Sequence, residues 1–94
     1  MKIKVKANDL VLLTKLSDDK FEGFHPNDIF AGYFQVGVLK KDIIVGERCL
    51  VVGKHFSDYL NTSKVTEIID EETFKTENST YQIIPYENHS KWYV

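Results

Sequence analysis

Residues 63–76, SKVTEIIDEETFKT, hold two strand-like segments on either side of an acidic turn. The first segment, 63–69, is rich in β-branched side chains, which favour strands. Three consecutive carboxylates over residues 70–72 then interrupt the apolar pattern, as in a tight solvated turn. Phe74 to Thr76 provides a second short strand that can pair back on the first. This part of the chain therefore predicts a β-hairpin.

Short apolar runs separated by turn residues also make up most of the remaining chain. We expect further strands over residues 2–6, 10–16, 30–39, 44–52 and 79–84. A chain of 94 residues has the length of one domain. The sequence therefore predicts a single all-β domain over residues 1–94, a small β-barrel or β-roll of six to eight short, mostly antiparallel strands.

The predicted strand over residues 30–39 carries its bulky apolar side chains on one face. These side chains are Phe30, Phe34, Val36 and Val38. Gly32 and Gly37 interrupt the strand, and glycines at such positions indicate the bends or bulges that barrels need at their corners.

A change of face is predicted near the end of the chain. Phe74 and Thr76 occupy even positions, whereas Tyr81 and Ile83 occupy odd ones. A shift by one residue moves side chains to the other face of a sheet, so residues 77–79 must form a turn or a bulge. Proline cannot continue a central strand, so the strand that follows ends at Pro85 or lies at an edge.

Lysine alternation near the start of the chain is the main electrostatic feature. Lys2, Lys4 and Lys6 alternate with apolar residues, so a strand here presents three lysines on one face. The simplest interpretation is an exposed edge strand, because lysines discourage edge-to-edge pairing. The alternative is a surface for single-stranded nucleic acid, with bases stacked on aromatics such as Trp92. A net charge of −2 argues against sequence-independent DNA or RNA binding.

Residues 17–29 form the longest irregular segment, since acidic residues, glycine and proline interrupt regular structure there. Long loops in small domains are often functional. Phe21 and Phe24 either fold back to cap the barrel or, with His25, are displayed to a partner. We take these three residues as candidate contacts with a protein partner. Strand addition at an exposed sheet edge is the other route considered.

Catalytic chemistry is not predicted by any group of residues. Cys49 lies inside an apolar run, where a buried thiol behaves as a small hydrophobic group. The carboxylates of residues 70–72 share one solvated turn, whereas an acid and base pair needs two different environments. We therefore expect no catalytic residue and no cofactor.

A metal site is conceivable from two histidine and aspartate pairs with the same spacing. These pairs are His25 with Asp28 and His55 with Asp58. Aspartate in turns commonly accepts backbone hydrogen bonds, and histidine in loops is usually solvated, which explains all four residues more simply. We expect no metal site.

The cellular compartment is predicted from the single cysteine and from the absence of long apolar segments. One cysteine cannot form an internal disulfide. The sequence contains nothing that resembles a signal peptide or a membrane-spanning segment. We therefore expect a cytoplasmic protein with no membrane association.

Residues 32–69 resemble the second-domain β-barrel of translation factors such as elongation factor Tu. The resemblance lies in the segments Gly37-Val38-Leu39-Lys40-Lys41-Asp42-Ile43-Ile44-Val45-Gly46-Glu47, Leu50-Val51-Val52-Gly53 and Ser63-Lys64-Val65-Thr66-Glu67-Ile68. They look like that family's strand, turn, lead into the next strand and outgoing strands. The resemblance covers under half of the chain, includes no GTPase domain and implies only a barrel.

The segments 62–68 and 74–83 resemble a pattern in small uncharacterised bacterial, phage or mobile-element β-barrel proteins. The similar residues are Thr62-Ser63-x-Val65-x-x-Ile68 and Phe74-x-Thr76-x-Asn78-Ser79-x-Tyr81-x-Ile83. The resemblance implies a compact double hairpin with Asn78-Ser79 in its turn, and it implies no activity.

The function expected from the sequence is that of a non-enzymatic accessory or protein-interaction module. A barrel that binds single-stranded nucleic acid through the lysines and Trp92 is the alternative. The chain is expected to act as a monomer or a homodimer, because edges of an incompletely closed barrel can pair.

Overall fold

In the residues that it describes, 2–18, 32–53 and 58–86, the computed structural model contains six β-strands. They are β1 (Leu10–Asp18), β2 (Phe34–Leu39), β3 (Arg48–Val52), β4 (Tyr59–Ile68), β5 (Thr73–Thr76) and β6 (Ser79–Pro85). Each strand pairs antiparallel with the next, and β6 pairs with β1, so the sheet closes into a barrel. The predicted small all-β barrel is confirmed. The described part of the chain has no helix able to span a lipid bilayer.

The barrel interior is filled by the alternate, inward-facing side chains of the strands, as the period-two geometry of a strand requires. Phe74 and Tyr81 lie opposite each other on β5 and β6. Their rings stack with centroids 5.6 Å apart and an interplanar angle of 20°. The other buried apolar residues of the same core are Ile3, Val5, Val11, Leu13, Leu39, Ile43, Cys49, Val51, Leu60, Val65 and Ile83.

Polar side chains are also buried, and hydrogen bonds compensate for their burial. They are Lys15, Gln35, Thr62, Thr76 and Ser79. Among the described residues, no buried side-chain nitrogen or oxygen lacks a hydrogen-bond partner. Thr62 lies where the β3–β4 register shifts; its Oγ1 accepts from the Cys49 N–H at 3.0 Å and donates to the Ser63 carbonyl at 2.7 Å. The hydroxyl thus replaces a ladder bond that the bulge removes.

The hairpin predicted from residues 63–76 is confirmed as β4 and β5. Ile68 pairs with Phe74, and the acidic residues 70–72 form the turn between the strands. The Asp70 carboxylate accepts a hydrogen bond from the Glu72 N–H at 2.8 Å. This bond, which favours the ionised form, is the main reason that the pKa of Asp70 lies below its ordinary value.

The predicted change of face between β5 and β6 is also confirmed. Thr76 ends β5, and its Oγ1 accepts hydrogen bonds from the N–H groups of Asn78 and Ser79 at 3.3 and 3.2 Å. The two residues between the strands move the buried positions from even numbers on β5 to odd numbers on β6. β6 ends at Pro85, as the sequence predicts.

The predicted strand over residues 2–6 is wrong, although the alternation behind it is real. Ile3 and Val5 are buried, and the lysines between them are exposed. The segment nevertheless belongs to no strand. It is held by the buried side chains and by a hydrogen bond from the Lys4 N–H to the Glu71 carbonyl at 2.9 Å. Because the barrel closes by pairing β6 with β1, β1 already has a partner on each side. The segment therefore covers the core without joining the sheet.

Three predicted segments differ from the observed strands in their limits. β3 begins at Arg48, because a turn containing Gly46 at φ +98° separates it from the apolar residues before it. β4 begins at Tyr59, before the predicted start at residue 63, and its early polar residues belong to the bulged part of the strand. β1 continues to Asp18 and so occupies the first two positions of the predicted loop over 17–29.

Candidate functional site

Apolar side chains lie in cross-strand rows on the outside of the barrel. One row consists of Ile84, Leu12 and Val36, on β6, β1 and β2. A second row consists of Leu10, Val38, Val52 and Tyr59, on β1 to β4. Directly opposite residues of an antiparallel pair project to the same side of the sheet. These two rows and Phe34 on β2 form a surface that we call the outer apolar face.

The side chains of the outer apolar face are uncharged, and all of them are at least partly accessible to solvent. Phe34 is 61% exposed, Tyr59 is 54% exposed and Leu10 is 43% exposed, and the other members are half-buried. The outward positions of β1 from Leu10 to Leu16, and those of β2, carry no charged side chain. Contiguous apolar surface of this kind on a small protein commonly marks a site of interaction.

The sequence predicted a shared face for part of this surface without showing which way it points. Phe34, Val36 and Val38 do share one face, and the structure shows that it is the outer one. Gln35, Gly37 and Leu39 point inward instead. Phe30 lies outside the described residues. A signal for an outer binding surface was present in the unbroken apolar run over residues 10–13, because such runs are typical of strands covered on both faces.

A groove of about 540 Å³ lies on another part of the barrel, beside the N-terminal segment. Its apolar lining consists of Ile3, Val5, Ile43, Ile44, Val45 and Ile68, and its polar lining consists of Lys2, Lys6 and Asp42. Ile44 and Val45 are 50% and 54% exposed, so the groove is open on their side. We call this feature the lysine groove.

The structure divides the three lysines that the nucleic-acid alternative groups on one face. The Lys4 ammonium pairs with the Glu72 carboxylate at 2.9 Å, and this hydrogen bond raises the pKa of Lys4. Lys2 and Lys6 instead line the lysine groove. In the described part of the chain, neither of them forms an ion pair. The continuous lysine surface expected for nucleic acid is therefore reduced to two cations beside apolar residues.

Phe21, Phe24, His25 and Trp92 all lie outside the described residues. The same holds for residues 19–31, which contain most of the predicted loop.

The acidic residues 70–72 lie in one turn at the surface, with Asp70 and Glu71 exposed. The Oδ1 atom of Asp42 accepts a hydrogen bond from the Ala7 N–H at 2.8 Å. Among residues 2–18, 32–53 and 58–86, no group of three or more histidine, cysteine, aspartate or glutamate residues could hold a metal ion.

Cys49 is inaccessible in the folded protein. Its side chain is 1% exposed, and burial raises the pKa of the thiol to about 12, although Lys41 opposes the shift. Thiolate is the nucleophilic form of cysteine, so burial and the raised pKa both suppress reaction at neutral pH. We expect Ellman's reagent to label Cys49 negligibly in the native state and stoichiometrically in guanidinium chloride. Rapid labelling of the native protein contradicts the burial of this residue.

No match to this chain is found among protein family models, curated protein sequences or solved structures.

Proposed function

We propose that the protein is a non-enzymatic interaction module that binds another protein through the outer apolar face. The observation that supports this proposal is the pair of cross-strand apolar rows, with Phe34 and Tyr59 each more than half exposed. Burial of apolar surface contributes roughly 25 cal/mol per Å². Aromatic side chains are common among the few residues that dominate the binding free energy of an interface.

Binding through side chains is favoured over strand addition by the topology of the barrel. Strand addition needs a row of unpaired backbone groups at a sheet edge. Each described strand pairs with two neighbours, so such an edge is not available over a whole strand. The outer apolar face needs no such edge, because its side chains already project away from the sheet.

A protein partner is also favoured over nucleic acid on electrostatic grounds. Non-specific nucleic-acid binding depends on several clustered cations that displace counterions. The outer apolar face is uncharged on β1 and β2, and Lys4 is paired with Glu72. A cytoplasmic partner accords with the single buried thiol. The resemblance to phage or mobile-element proteins makes a host protein a natural candidate.

The proposal is tested by affinity capture from a lysate of the source organism. The tagged wild-type protein is compared with Phe34→Ser and Tyr59→Ser, with and without nuclease and high salt. We expect the wild-type protein to retain one abundant partner protein under all conditions. Each face variant should lose most of it, because hot-spot truncations commonly cost about 2 kcal/mol or more of binding free energy.

Ile69→Ser is the matched control, because Ile69 is 42% exposed and lies outside the outer apolar face. This control should capture the partner normally, and all variants should unfold at temperatures close to that of the wild-type protein. The proposal is contradicted if the face variants capture the partner as well as Ile69→Ser does. Loss of the partner on nuclease treatment transfers support to the nucleic-acid alternative.

A further inference from the structure

We infer that the lysine groove is a second binding site, which takes an acidic, apolar-centred linear segment of another protein. It is a separate surface from the outer apolar face, since the two share no residue. The inference therefore does not depend on the function proposed for that face. The occupant is identified by the shape of the groove and by the charges at its rim.

The apolar floor of the groove favours a ligand that has apolar side chains at its centre. Ile3, Val5, Ile43 and Ile68 provide it, and the first three of these also belong to the buried core, so the floor is firmly held. Ile44 and Val45 leave one side open, each being at least half exposed. An open apolar groove suits a chain that passes across it, whereas small-molecule sites usually enclose most of their ligand.

The two lysines at the rim of the groove favour a ligand that carries carboxylates. Lys2 and Lys6 are four residues apart, and extended chain of that length spans about 13 Å at most. A peptide with acidic residues on both sides of an apolar pair can reach both ammonium groups. Neither lysine forms an ion pair within the described residues.

One acidic group also lies at the rim, and it does not reverse this preference. Asp42 accepts a hydrogen bond from the Ala7 N–H, which fixes its carboxylate against the turn that follows the N-terminal segment. The two lysines outnumber it, so the polar lining has a net charge of +1 when all three groups are ionised. Charge complementarity of this kind selects acidic over basic partners.

Fluorescence anisotropy with the purified full-length protein tests the inference. The probe is the labelled peptide Gly-Glu-Glu-Leu-Ile-Glu-Glu-Gly. Two companion peptides replace Leu-Ile by Ser-Ser or all four glutamates by lysine. We expect the probe to bind in low salt, and each companion peptide to bind the wild-type protein at least about tenfold more weakly.

Charge-reversed proteins make the test specific to the groove. Lys2→Glu/Lys6→Glu should weaken probe binding at least about tenfold and should bind the lysine peptide instead, because the charges are then exchanged. Lys40→Glu/Lys64→Glu alters two exposed lysines elsewhere by the same total charge and should bind like the wild-type protein. Phe34→Ser should also bind normally, which separates this site from the outer apolar face.

Several results would overturn the inference. Equal loss of binding in both charge-reversed proteins shows non-specific attraction. Equal binding of the Ser-Ser peptide shows that the apolar floor is not used. Failure of the probe to bind at all shows that the groove does not take such a peptide. Displacement of the probe by octanoate or by an oligothymidylate, at lower concentrations than by unlabelled probe, assigns the groove to that other class of ligand.

Discussion

Phe74→Ala should remove much of the stability of the fold. The side chain is fully buried, belongs to the hydrophobic core and stacks on Tyr81. Replacing a buried phenylalanine by alanine typically costs about 3–5 kcal/mol, from lost transfer free energy and from the cavity left behind. Small domains are stable by about 5–15 kcal/mol in total. Each kcal/mol lowers the melting temperature of a domain of this size by about 4–8 °C.

Phe34→Ala provides the matched control, because it makes the same chemical change at a phenylalanine that is 61% exposed. We expect this control to change the unfolding free energy by less than about 1 kcal/mol. Chemical denaturation of both variants measures the difference. Similar losses at both positions mean that Phe34 contributes to the core, which removes the basis for the outer apolar face.

Gly37→Ala should also be strongly destabilising, although it adds only one methyl group. Gly37 occupies an inward-facing position on β2, and its backbone lies against β3. A Cβ at this position lies 2.5 Å from the carbonyl carbon of Val52 and 2.8 Å from the nitrogen of Gly53, and closer still to the Val52 oxygen. These are backbone atoms, which cannot move away as a flexible side chain could, so the backbone of β2 or β3 must shift.

The expected cost of Gly37→Ala is about 1–3 kcal/mol or more, the range for overpacking a tight interior. The β2–β3 junction is vulnerable, because only the pairs Val38 with Val52 and Leu39 with Val51 form its described register. Val36→Ala serves as a control on the outward side of the same strand and should cost less. Equal unfolding midpoints for Gly37→Ala and the wild-type protein would contradict the close approach of the Val52 and Gly53 backbone to Gly37.

Prediction from sequence succeeded where local chemistry decides the structure. The acidic residues 70–72 define a turn, and Pro85 cannot continue a central strand. The change of face between Thr76 and Tyr81 followed from the strict period of two in a strand. These features depend on neighbours in sequence, so they are visible before any pairing is known.

Prediction failed where long-range pairing decides. Residues 2–6 have the alternation of a strand, yet closure of β6 onto β1 leaves them to cover the core instead. The inward or outward direction of Phe34, Val36 and Val38 depends on how β2 pairs with β1, which alternation alone does not give.

For the candidate binding surfaces too, prediction succeeded for local features and failed for features that combine distant segments. Lysine alternation correctly indicated exposed charge at Lys2 and Lys6, but not the apolar groove beside them, which needs residues 43–45 and Ile68. Likewise, the outer apolar face combines residues from five strands. No single segment of sequence contains such a surface.

Site-specific photo-crosslinking tests the central claim, that the outer apolar face binds a protein. Benzoylphenylalanine is placed at position 34, or at position 69 as the control, and the protein is irradiated in cells of its source organism. We predict one discrete crosslinked protein from position 34 and none from position 69. Absence of a crosslink at position 34, or the same products from both positions, contradicts the claim.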